Sequence, residues 1–393
     1  MNLLEQAQSL AADLTAIRRD LHRHPELSFQ EIRTAGIAAK EMEVLGFSVR
    51  TGIGRTGVIA ELHNGQGPLI ALRADMDALP IKEANAHDFV SQNAGVMHAC
   101  GHDGHVAGMI GAARILAEER DSGRLPSGTI RFIFQPSEET TDDEGKSGAM
   151  RMVDEGAMEG VDAVVGLHLG GPLPSGKIFF AAGPIMAGAE EVHIDVHGKA
   201  THAGLPEAGV DALVLAARGV VAAQDATPKS RSPVEDGILS FGRIAGGTAN
   251  NILADHVSID GTIRFFSEEV RQRLHRRLDA AFGALEDSGA RITIQIGTAY
   301  LPVINDDRVT EWVRAAAVGL VGEDDVLPIE PMTFAEDFSF LANEAPGTFF
   351  WLGAALPRPR MHHEADFDID ESALPVGAAT LAAGAIRLLE EMG

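Results

Sequence analysis

Val192-His193-Ile194-Asp195-Val196-His197 alternates apolar and polar side chains, the pattern of a strand with one buried face. It opens a run in which Val210 to Gln224 reads as a helix, Gly237 to Ala245 and His256 to Phe266 as strands, Glu268 to Glu286 as a helix and Arg291 to Ile296 as a strand. That β-α-β-β-α-β order is the ferredoxin-like pattern, a unit able to bury its own core. Outward from it the chain changes character. Apolar strands at Gly57 to His63, Pro68 to Arg73, Thr129 to Gln135 and Val161 to Leu169 accompany helical stretches at Glu31 to Leu45 and His105 to Glu119. Phe349 to Gly353 reads as a further strand and Pro375 to Met392 as a closing helix. Strands alternating with helices predict an α/β fold with a mixed sheet, built from both ends of the chain. The expected division is residues 1–183 plus 298–393 for this core and 184–297 for the inserted α+β domain, with hinges at Gly183-Pro184 and Tyr300 to Pro302.

A length of 393 residues is ample for two domains with cores of their own. Thirty-two Lys plus Arg against 57 Asp plus Glu leave a net charge of -25, which repels nucleic acid and anionic membrane. Leu3, Leu10, Leu14, Ile17 and Leu21 lie at helical spacing with acidic residues between them, unlike the apolar core of a secretory signal. No apolar run of the roughly 18 residues needed to cross a bilayer is expected. One cysteine, Cys100, excludes an intramolecular disulfide and suits a reducing, cytoplasmic setting where thiols serve as ligands.

That cysteine lies in Met97 to His105, M-H-A-C-G-H-D-G-H, with three imidazoles and a carboxylate. Thiolate and imidazole both bind zinc-like cations, and Gly101 can take the bend that aims Cys100 and His102 at one point. His98 and His105 are expected to be ordinary packing residues. Gln135-Pro136-Ser137-Glu138-Glu139 follows a buried strand; adjacent glutamates on extended chain face opposite ways, so one can hold metal while the other faces water. His168 ends an apolar strand, and of His362 and His363 in the loop Met361 to Glu364 only one is expected to reach the site. Cys100, His102, Glu139, His168 and His362 are enough for two divalent ions with one bridging ligand. Zinc, manganese, cobalt and nickel all suit such donors. A pair of ions about 3.5–4 Å apart polarises a carbonyl and activates a shared water, with Glu138 as general base and then acid.

With these motifs in order, the chain resembles the dinuclear metallo-amidohydrolases related to aminoacylase and carboxypeptidase, in the branch of hippurate hydrolase, N-acyl-amino-acid hydrolases and auxin-conjugate hydrolases. The likeness rests on Leu21-His22-Arg23-His24-Pro25-Glu26-Leu27, Arg73 to Pro80, His98 to His105, Gln135 to Glu139 and Met361-His362 followed by Phe367-Asp368-Ile369-Asp370. It implies the same metal set with Glu138 as base, and cleavage of the amide of an N-acyl amino acid. Asp75 and Asp77 stand where peptidase relatives carry a His-x-Asp ligand motif, and read as groups that orient ligands. The resemblance also makes residues 184–297 a lid and dimerisation domain. There it implies His202 as a donor to the developing oxyanion, and Asn250 and Arg264 as partners of the substrate carboxylate. It further implies a homodimer or higher homo-oligomer. His22 and His24 are assigned to structure. The acidic insert Thr140 to Lys146 is expected to sit in solvent. A dipeptidase or aminopeptidase-like exopeptidase on the same scaffold is the alternative enzyme, and a silent metal-dependent binding protein the alternative class; an intact Glu138 disfavours the latter.

Overall fold

A computed structural model describes residues 2–227 and 232–393, which divide into two compact units. The first comprises Met1–Ile185, Ile304–Glu330 and Asp337–Gly393; the second comprises Met186–Val303 and Pro331–Glu336. The inserted unit thus starts and ends a few residues later than the sequence boundaries, and it takes back the short Pro331–Glu336 segment.

In the first unit an eight-stranded mixed sheet runs in the order Ser48–Ile53, Gly57–Asn64, Gly128–Gln135, Leu69–Asp75, Ala163–Gly170, Gly347–Gly353, Ile178–Phe180, Val326–Pro328. Its centre is parallel: Leu69–Asp75 lies between Gly128–Gln135 and Ala163–Gly170, which in turn pairs with Gly347–Gly353. Strands buried on both faces read as the near-continuous apolar runs found in the sequence. Side-chain alternation then sorts the faces. Leu72, Ala74, Phe132, Phe134, Val165, Leu167 and Leu352 join the main apolar core with the helices His102–Asp121 and Leu374–Met392. The intervening positions, Arg73, Asp75, Gln135, His168 and Trp351, belong to the opposite face at the C-terminal ends of the parallel strands. Gly166 lies on that face because a Cβ there would stand 2.7 Å from the Phe349 ring and 2.9 Å from Phe338.

The closing helix corrects one expectation. Glu371–Met392 is long and apolar enough to cross a bilayer by length and composition, yet most of it is buried inside the protein. It is apolar nearly all round because it is enclosed by the core. The amino-terminal helix is also two, Leu3–Ser9 and Ala11–Arg23, broken at Leu10.

The second unit carries a four-stranded antiparallel sheet ordered Arg291–Ile296, Gly188–His197, His256–Phe265, Ile238–Gly246, or fourth, first, third, second along the chain. Val192, Ile194 and Val196 face the helices Ala212–Ala226 and Glu268–Gly283, and His193, Asp195 and His197 occupy the other face.

Candidate metal centre

Two turns and one strand deliver the candidate donors to the C-terminal edge of the parallel strands. Gly101, at φ 92°, caps the 20-residue helix His102–Asp121 in the left-handed region that glycine tolerates, and Cys100 and His102 flank it. The positive end of that helix favours a thiolate. After Gln135 the chain turns at Ser137, a non-glycine residue at φ 44°, so Glu138 and Glu139 stand on a turn just past the strand rather than on extended chain. Gly148 packs beneath this turn: a Cβ there would lie 1.6 Å from the carbonyl oxygen of Pro136. His168 comes directly from its strand, paired with Trp351 across the sheet and with their rings 4.6 Å apart.

Cys100, His102 and His168 bring one ligand atom each within 4.8 Å of one another, and so do Cys100, Glu139 and His363. Cys100 Sγ is 3.5 Å from His168 Nε2, and His102 Nε2 is 3.9 Å from Glu139 Oε1. Both adjacent histidines stand near this group. His363 Nε2 lies 3.2 Å from Glu139 Oε1, whereas His362 Nε2 lies 2.8 Å from the carbonyl oxygen of Leu169. A neutral His362 donates its Nε2–H there and keeps the lone pair on Nδ1, and its ring stands 5.2 Å from that of His168. His363 reaches the group because its backbone is left-handed, at φ 64°, with its N–H donating to Ala99.

Carbonyls and carboxylates behind the donors set their orientation. His102 Nδ1 is 2.9 Å from the Asp77 carbonyl and His168 Nδ1 is 2.9 Å from the Leu169 carbonyl, so each ring donates there and leaves Nε2 as the free lone pair. The Asp77 carboxylate accepts the backbone N–H groups of both Glu138 and Glu139 at 3.1 Å and the hydroxyl of Ser28 at 2.7 Å. Glu31 accepts from the Ser137 N–H at 2.9 Å and from the Thr56 hydroxyl. Burial and the nearby Asp77 push Glu31 up to about 7. His105 is no mere packing residue: its Nδ1 is 2.6 Å from Asp75 and its Nε2 accepts the Leu169 N–H at 2.9 Å. Asp75 in turn meets Arg73 at 2.7 Å, and Arg73 meets Asp337 at 2.9 Å, all fully buried.

The electrostatics describe a place prepared for positive charge. Burial, then Glu139, Glu138 and Asp75, push the Cys100 thiol up. Burial pulls His102 down, but Asp75, Asp77 and Glu139 outweigh it and hold the ring at about 10. Burial and the neighbouring His105 and His362 hold His168 well below its ordinary value. His102 Nε2 and Glu139 Oε1 are buried without any hydrogen bond, which is unfavourable unless a cation meets them. Soft thiolate, imidazole and carboxylate donors with unused lone pairs fit divalent transition-metal ions.

His202, Asn250 and Arg264 lie in the second unit. The loop bearing His202 runs antiparallel to the Asn250 loop, through a bridge between His202 and Ile252 and a 2.9 Å bond from Ala203 N–H to Asn251. Arg264 is not with them. It sits at the far end of His256–Phe265, paired with Ala189, about 26 Å along the strand from its start. In the acidic insert, Asp142 is buried by Arg55 at 2.6 Å and Arg151 and accepts the N–H groups of Glu144 and Lys146, so only its neighbours face solvent as expected.

The sequence profile of peptidase family M20/M25/M40 matches residues 71–387. The chain belongs to this family. Among relatives of this M20 protein, the N-acetyl-L-cysteine deacetylase of Bacillus subtilis is 36% identical over 387 residues, 97% of this chain and 89% of the relative. IAA-amino acid hydrolase ILR1-like 2 of Arabidopsis thaliana is 34% identical over 96% of this chain and 85% of its own. The crystal structure of a dinuclear metal-binding M20 peptidase from Bacillus subtilis superposes with a TM-score of 0.84 at 33% identity, covering 98% of this chain and 99% of that one. The M20 protein is a hydrolase of amide bonds, with the mixed α/β fold of its relatives.

Proposed function

We propose that the protein is a dinuclear metal-dependent amidohydrolase that cleaves N-acyl amino acids into a carboxylic acid and an amino acid. The observation that carries this reading is that Cys100 joins two sets of donors, with His102 and His168 in a buried group and with Glu139 and His363 in a more open one, while Glu138 precedes Glu139 on the same turn. His362, with its ring 5.2 Å from that of His168, stays the expected fifth ligand, and His363 is a further donor beside Glu139. The named deacetylase and auxin-conjugate hydrolase among the relatives supply the substrate class.

Bound by these donors, two divalent ions supply Lewis acidity for the carbonyl and for the attacking water. Asp77 fixes the Glu138 backbone, so its carboxylate takes a proton from that water and returns it to the nitrogen as the C–N bond breaks. His202 donates to the oxyanion, and Arg264 and Asn250 grip the substrate carboxylate. Because Asn250 precedes the start of the strand His256–Phe265 and Arg264 lies near its far end, one small substrate touching both calls for a second copy of the chain. The protein acts in this reading as a cytoplasmic homodimer.

The test is hydrolysis of N-acetyl and N-benzoyl amino acids against unblocked dipeptides, with each metal. Turnover of the blocked substrates should fall about 10²–10⁴-fold in Glu138→Gln while bound metal is retained. A relative named thermostable carboxypeptidase 1, from Saccharolobus solfataricus, is also 36% identical. Preference for unblocked dipeptides would transfer the reading to an exopeptidase, and full activity of Glu138→Gln would remove the base.

A further inference from the structure

A second convergence of imidazole and carboxylate lies outside the group just described and shares no residue with it. His22, Glu83 and His87 each bring one ligand atom within 4.8 Å of the others. His22 Nε2 and His87 Nε2 stand 3.2 and 3.3 Å from the same oxygen, Glu83 Oε1. Donors bound at about 2.0–2.1 Å around a tetrahedral ion are separated by about 3.3 Å, the same spacing. His22 is oriented from behind, since its Nδ1 lies 2.7 Å from Asp103 Oδ2 and donates there, presenting Nε2 to Glu83. His87, stacked on Phe89 with ring centroids 3.6 Å apart, has both nitrogens buried and neither hydrogen-bonded.

Charge points the same way. Glu83 and Asp103 meet His22, Asp368 lies 4.0 Å from His87 Nε2 and Glu371 stands behind Arg18, all with side-chain exposures of 15% or less, and the guanidinium groups that answer them are Arg18 and Arg19. Four negative groups against two positive ones leave a deficit of two charges, the charge of a divalent ion. Protonating His22 would supply one of them and would still leave the His87 lone pair unused.

We propose that His22, Glu83 and His87 form a further cation site, taking a zinc-like divalent ion that ties the amino-terminal helix to the segment leading into Cys100. Two imidazoles and one carboxylate select such an ion over calcium or magnesium, which prefer all-oxygen shells.

The decisive experiment compares metal content of the wild type and His87→Gln after removal of metal, reconstitution with zinc and dialysis. His87 is at the edge of the cluster, 18% exposed, which keeps the variant foldable. Its content should fall by about one ion per chain. With cobalt in place of zinc, the thiolate-to-cobalt band from Cys100 should be unchanged in His87→Gln while the ligand-field bands lose intensity. Equal metal content in the two proteins overturns the proposal. Should His87→Gln misfold, the double variant Cys100→Ser, Glu139→Gln is measured instead. It should keep one tightly held ion without a thiolate band, and loss of all tightly held metal overturns the site. The proposal assumes nothing about the group at Cys100: failure there would appear as a missing thiolate band in the wild type, whatever His87→Gln does.

Discussion

Two protons stand in for metal at His102 and Cys100, and this makes metal affinity a pH-dependent quantity. The carboxylates of Asp75, Asp77 and Glu139 hold metal-free His102 at about 10 from its ordinary 6.5. The stability this lends to the metal-free fold is fully present below pH 6.5 and is lost as pH rises towards 10. Burial, with Glu139, Glu138 and Asp75, pushes the Cys100 thiol up as well, so it holds its proton. Zinc must displace both protons, so its apparent affinity should rise with pH through the neutral range, by about tenfold per unit for each proton released. Calorimetry in buffers of different ionisation enthalpy counts those protons; release of none would mean that neither side chain is a ligand. The neighbouring histidines allow a sharper comparison. His362→Ala and His363→Ala should separate the two: loss of the ligand should weaken zinc binding by more than about 100-fold and loss of its neighbour by much less. Small equal losses in both variants would remove both from the metal set. Local sequence gave no means of choosing between them, because the choice depends on a left-handed backbone at a non-glycine residue.

Among the elements, the turn from Pro136 to Glu139 concentrates the constraint. It is held from above by Asp77 and from beneath by Gly148, whose N–H donates to the Ser137 carbonyl at 2.8 Å. Gly148→Ala would drive a methyl into the Pro136 carbonyl and must displace the turn. Overpacking of this kind costs about 1–3 kcal/mol, visible as a lower Tm, and turnover should fall further than metal content because Glu138 moves with the turn. An unchanged Tm and rate would show that the turn adapts freely. The central strands and the long helices were legible because their apolar runs are several residues long: Thr129 to Gln135 became Gly128–Gln135, and Val161 to Leu169 became Ala163–Gly170. The three-residue strands Ile178–Phe180 and Val326–Pro328 are too short to show a period, and the largely exposed Ser48–Ile53 has no apolar face. The helix Asp307–Val321 was missed although it carried a signal: Asp306 caps it by accepting from the N–H groups of Arg308 and Val309, and Val309, Val313 and Ala317 recur every fourth residue.

At the scale of the whole molecule, the second unit raises a question that a single chain does not answer. The loops bearing His202 and Asn250 are bridged to each other ahead of the strand His256–Phe265, and Arg264 lies about 26 Å along that strand from its start. Sequence motifs named all three residues but carried no distance, which appears only with the register of His256–Phe265 against Gly188–His197. A small N-acyl amino acid spans far less than that strand. If Arg264 serves the site of its own chain, His202 and Asn250 serve the site of another, in a two-fold dimer where each copy lends its loop to its partner. Chains carrying Glu138→Gln lack the base but keep a good loop; chains carrying His202→Ala keep the base but lack the donor. Each should be nearly inactive alone. Mixed after dissociation and reassociation, half of the dimers are hybrids, and one of the two sites in every hybrid combines an intact Glu138 with an intact His202. Activity should therefore recover to about a quarter of the wild-type value, with light scattering reporting the mass of a dimer. No recovery from hybrids that are shown to form would place His202 in the site of its own chain.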